Sequence, residues 1–93
     1  MMANIDEGLI QQHVGEIQAL SVKALDGEDV KVRVQDAISK AIEHFNIVKG
    51  SDPKANVARY RGRLKLHADL AHASQPAAKE TFLYAVSVCP ESL

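Results

Sequence analysis

The side chains able to do chemistry in this 93-residue chain gather mainly in one stretch. Lys54, Arg59, Arg61, Arg63 and Lys65 follow Pro53 with no acid before Ala68. Bases in such a run bind nucleic acid when they share one face along a phosphate track. Otherwise they cover the rim of a core or pair with an acidic protein. At about 100° per residue, Lys54, Arg61 and Lys65 fall within about 40° of one another, with His72 beside them, and Arg59 and Arg63 lie about half a turn away. Between the two groups runs an apolar stripe of Val57, Tyr60, Leu64, Ala68 and Ala71. The bases therefore flank a buried face on both sides. Tyr60, the aromatic within the run, sits on that stripe and offers no platform for stacking bases.

Other constellations are thinner. His13 with Glu16, and Asp69 with His72, have the i, i+3 spacing of helical metal ligands, but neither pair gains a third ligand of evident geometry. The chain has no Glu-x-x-His pair, no glycine-rich phosphate loop and no Gly-x-Ser-x-Gly elbow. Cys89 is the lone cysteine, so it forms no internal disulfide and reads as a small hydrophobe at a helix end. The expectation is no metal, no cofactor and no catalysis.

One short motif stands apart. Arg61-Gly62-Arg63-Leu64-Lys65-Leu66-His67 resembles the arginine–histidine motif of the HEPN ribonucleases. That resemblance, over seven residues, implies a dimeric helical bundle whose paired motifs meet across the interface. Arg61 would then stabilise charge on the phosphate and His67 would act as general base. Gly62 stands where that family usually carries a polar residue. Asp36-Ala37-Ile38 and His67-Ala68 resemble positions in the small helical antiactivators of bacterial quorum-sensing regulators, and no residue role carries across on them.

Four amphipathic segments must position these groups. The first opens with Asn4 and Glu7 at capping-box spacing and carries Leu9, Ile10, Val14, Ile17, Leu20, Ala24 and Leu25 in steps of three and four, ending near Asp26-Gly27. The second starts near Asp29 and carries Val30, Val34, Ile38, Ala41, Ile42, Phe45 and Val48 before Gly50. Segment 21–34 also reads as a β-hairpin, with Val30-Lys31-Val32-Arg33-Val34 alternating beyond an Asp26-Gly27 turn. The unbroken helical spacing from Val30 to Val48 favours a helix. The third segment runs from Pro53 to about Ala73 behind an Asp52 cap. If Gly50 were the glycine of a helix-turn-helix, the apolar positions of the next helix would fall on Asn56 and Arg59, which excludes the motif. The fourth, about Pro76 to Val88, is apolar nearly all round, so it plugs the bundle or meets a second copy.

These spacings predict one all-α domain over residues 1–93, an antiparallel bundle of three long helices and one shorter C-terminal helix. A chain of this length buries only about 60–65% of its unfolded surface, so burial between copies would help it. No apolar run is long enough to span a membrane, and the N-terminus lacks the pattern of a signal peptide, which points to the cytoplasm. Charge is uneven: residues 1–48 carry eight acids and four bases (−4), residues 49–79 seven bases and two acids (+5), and the tail two acids (−2), giving −1 in all. Helix three also has a second apolar face of Leu66, Leu70 and Ala73, with Gly62 permitting close approach.

The function these features favour is a self-associating protein-interaction module, an adaptor or a regulator that sequesters an acidic partner. Arg59, Arg61, Arg63 and Lys65 would form its charged rim, and Phe82, Tyr84 and Val86 its apolar contact. A nucleic-acid-binding module using helix 53–73 is the alternative, and a HEPN-like ribonuclease is more distant.

Overall fold

The computed structural model describes residues 5–71 and 73–91. It is all-helical: α1 (Ile5–Leu25), α2 (Lys31–Ile47), α3 (Pro53–Leu70) and α4 (Pro76–Val88), with no strand among the described residues. The hairpin alternative is thereby excluded. Val30 and Val34, one turn apart, are buried while Val32 points outward, the pattern of a helix rather than of alternation.

Each reversal has a local cause. Gly27 adopts φ +93°, and the N–H groups of Gly27 and Glu28 bond to the carbonyls of Ala24 and Lys23 at 3.0 and 3.2 Å. That is the glycine-closed Schellman ending of α1. Asp29 then accepts the Lys31 N–H at 3.1 Å, so α2 begins two residues beyond the acid. Asp52 caps α3 by accepting the Ala55 N–H at 3.3 Å, and Pro53 fills the first helical position, as the sequence indicates. α3 stops at Leu70, short of Ala73, because Ala71 turns extended and the chain must reverse before Pro76. Asn4, half of the expected capping box, lies outside the described residues. Glu7 instead accepts a hydrogen bond from Arg63 on α3.

The core is shared by all four helices. Ile10, Ile17, Val34, Phe45, Val57, Tyr60 and Leu64 are its largest sealed apolar members, joined by Phe82 and Ala85 of α4. α4 packs against α1, α2 and α3, so it plugs the bundle. Phe45 and Tyr60 meet edge to face, with ring centres 5.7 Å apart. Several buried polar side chains bond close to home, whereas the sealed Tyr60 hydroxyl has no hydrogen-bond partner among the described residues. Asn56 donates to Ser51 Oγ at 2.7 Å across the α2–α3 turn, and Ser21 and Thr81 donate to the carbonyls of Gln18 and Ala77.

Candidate functional site

The buried stripe of α3 (Val57, Tyr60, Leu64 and Ala68) places the bases on its two shoulders, as the helical spacing predicts. On one shoulder Arg63 Nη2 donates to Glu7 Oε1 of α1 at 2.8 Å. On the other, Arg61 Nη2 lies 3.7 Å from Glu91 Oε1, beyond the end of α4. Arg59 and Lys65 are exposed. The four bases therefore divide into two that tie α3 to acids of this chain and two that face solvent. Tyr60 is sealed in the core, and burial holds its hydroxyl far above the phenol range. The run is thus split between two sides of α3, and its aromatic residue is not exposed for stacking.

Arg61 and His67 also part company. Arg61 turns toward Glu91, while His67 stacks on Phe82 with ring centres 5.1 Å apart and planes 14° from parallel. Nothing among the described residues gathers them around a common point. His72 lies outside the described residues, so its pairing with Asp69 does too. His13 and Glu16 do meet, with Nδ1 and Oε1 2.8 Å apart, and the other ring nitrogen, Nε2, is 2.8 Å from His44 Nδ1. The three side chains form a chain rather than a cage. No group of three potential metal ligands converges among the described residues.

The α4 residues expected at a contact are largely used within the bundle. Phe82 is buried, and Val86 is half-buried against the core. Tyr84 is half-buried, accepts a hydrogen bond from Gln35 of α2 and carries Lys31 Nζ 5.8 Å from its ring centre. Cys89 is buried, which pushes its thiol up to about 11, although the nearby Arg61 guanidinium opposes that rise.

Besides Val32, Ile47 and Leu83, exposed large apolar side chains gather on the outer side of α1 and α3. Leu66 and Leu70 are 51% and 73% exposed, and Val22 and Leu25 of α1 are 55% and 41% exposed. Val22, Leu25 and Leu70 line one open groove of about 350 Å³, floored by Ala78 and Phe82 of α4. The sequence places Leu66 and Leu70 on a second face of α3 but does not single out Val22 and Leu25. Leu25 belongs by spacing to the buried stripe of α1, and the Gly27 ending leaves it at the surface. Gly62 is open too: a Cβ there would meet nothing within 4 Å, so no packing inside the chain calls for the glycine.

Fold and surface together define a small four-helix antiparallel bundle with an apolar outer groove. No protein-family pattern matches the chain, and no significant match was found among curated proteins or solved structures.

Proposed function

We propose that this chain is a cytoplasmic protein-interaction module that associates with itself through the outer face of α1 and α3. It would act as an adaptor or as a regulator that sequesters a partner. The observation that carries this reading is the exposed set Val22, Leu25 and Leu70 around one groove, with Leu66 exposed one turn back along α3. Leucines left open to water while smaller residues are sealed in the core are the ordinary mark of a contact surface. A second copy suits the groove because a domain this small gains proportionally much from further burial. No helix among the described residues is long and apolar enough to cross a membrane.

Arg59 and Lys65, which form no ion pair among the described residues and face solvent, supply the basic flank for an acidic segment of another protein. Arg61 and Arg63 serve chiefly to tie α3 to Glu91 and Glu7. The divided bases and buried Tyr60 give less support to nucleic-acid binding, and the separation of Arg61 from His67 gives less to a ribonuclease.

Mass in solution, measured by size-exclusion chromatography with light scattering at low and high salt, tests the first half of the proposal. A dimer or larger species that persists at high salt is expected of an apolar seam, and a monomer throughout rejects it. Capture of binding proteins with the parent and with the Arg59→Glu, Lys65→Glu variant tests the second half. Retention of every partner by that variant rejects the basic flank.

A further inference from the structure

His13 is a histidine in a core. It is sealed among Phe45, Tyr60 and the α1–α2 seam, its ring centre 5.5 Å from that of Phe45 and 6.4 Å from that of Tyr60. Both its nitrogens are used: Nδ1 at 2.8 Å from Glu16 Oε1 and Nε2 at 2.8 Å from His44 Nδ1. An ionised carboxylate can only accept, so Nδ1 of His13 carries the hydrogen and its Nε2 is a bare acceptor. His44 must then donate from Nδ1, which leaves its own Nε2 bare. Glu16 thus fixes the tautomers of two histidines on different helices, as a carboxylate does for a metal-bound imidazole.

The proton count of this chain is limited. A proton added at His44 Nε2 breaks neither contact and makes the Nδ1–H a stronger, charge-assisted donor. A second proton on the imidazoles can go only to His13 Nε2, where it would set N–H against N–H at a distance built for one hydrogen. We propose that Glu16, His13 and His44 form a one-proton latch on the α1–α2 seam, closed at neutral pH and forced open by a second proton.

The surroundings isolate the latch. From α3 Tyr60 packs on His13, and Cys89, just past α4, acts on Tyr60; burial raises both so that neither changes charge in mild acid. On α1 and α2, Arg33, Asp36 and Lys40 share with Glu16 the surface groove outside the seam. Glu16, His13 and His44 are therefore the groups whose protons count there. Both histidines titrate freely in the unfolded chain, near pH 6.5. Below that pH the unfolded chain takes two protons where the latch takes one, so stability rises with pH and is lost as pH falls.

The test compares melting of the parent and a His44→Gln variant from pH 7.5 to pH 5. A glutamine amide donates to His13 Nε2 or, turned over, accepts from it, so the variant tolerates either state of His13. The parent is expected to lose at least about 4 °C relative to the variant across that range, the shift that ~1 kcal/mol gives in a domain of this size. Parallel curves would overturn the latch. Nitrogen NMR of the parent's imidazoles gives an independent reading that does not depend on the variant folding. Both rings in the Nδ1–H form at pH 7.5 are expected. An Nε2–H form at His13 would overturn it.

Discussion

Replacing Leu66 and Leu70 together by lysine should dissolve self-association while leaving the fold intact. Complete burial of a leucine side chain contributes about 1.5–3 kcal/mol. With Leu66 51% and Leu70 73% exposed, each chain holds the equivalent of about 1.2 leucines still open to water, or about 2–4 kcal/mol. At 1.4 kcal/mol per decade, their loss should weaken association about 20- to 500-fold per chain, and more in a symmetric contact where both copies lose it. Folding should hardly change, because lysine and leucine have similar helix propensity and surface substitutions usually stay within about 0.5 kcal/mol. Light scattering over a concentration series reads the association, and circular dichroism with thermal melting reads the fold. A variant that keeps the parent's mass at every concentration, with unchanged melting, refutes the α1–α3 face as the seam. A variant that fails to fold refutes the reading of these leucines as surface residues.

Four further outcomes follow from the core and the turns. Phe45→Ala, at a fully buried side chain that packs edge to face on Tyr60, should cost about 3–5 kcal/mol by urea denaturation, a large share of the roughly 5–15 kcal/mol a domain commands. Gly27→Ala should cost about 1–2 kcal/mol by the same measurement, since φ +93° is strained for any residue with a Cβ although no atom lies within 4 Å of the site. Cys89 should resist an aromatic disulfide reagent at pH 8 until the chain unfolds, because a thiol raised to about 11 is about one part in a thousand thiolate there, besides being buried. The sign of the linkage is fixed by the same group: the native state keeps the Cys89 proton while the unfolded chain releases it near pH 9, so denaturation midpoints should fall as pH climbs from about 9 toward 11.

Helix periodicity and proline punctuation made most of the fold legible. The steps from Val30 to Phe45 outweighed the local alternation of Val30, Val32 and Val34 because a helix buries Val30 and Val34 on one stripe with Ile38, Ala41 and Phe45. Asp52-Pro53 located the start of α3 because capping and a missing N–H are local effects, complete within one turn. Where α3 ends was less legible, since only the need to fold α4 back against it stops the helix at Leu70 rather than Ala73. Phe82, Tyr84 and Val86 could be recognised as apolar, but how much of a near-uniform helix its neighbours cover depends on the whole packing. The contact of His13 with His44 spans 31 residues and had no local trace beyond the place of His44 beside Phe45 on the α2 stripe. Leu66 and Leu70 could be found because they stand off the main stripe of their own helix, whereas the exposure of Leu25 is decided by the turn that follows it.

The outer groove is assembled from the end of α1, the end of α3 and the start of α4, with Val22, Leu70 and Ala78 coming from the three in turn. No fragment of the chain owns it, so a disordered chain has nothing to offer a binder there. A molecule seated in the groove would therefore act as a clasp on three helices at once. At a free concentration one hundred times its dissociation constant it would add about 2.7 kcal/mol to the stability of the folded state. In a chain this small, that is enough for the supply of its companion to govern how long each copy escapes proteolysis, making cellular abundance a readout of complex formation.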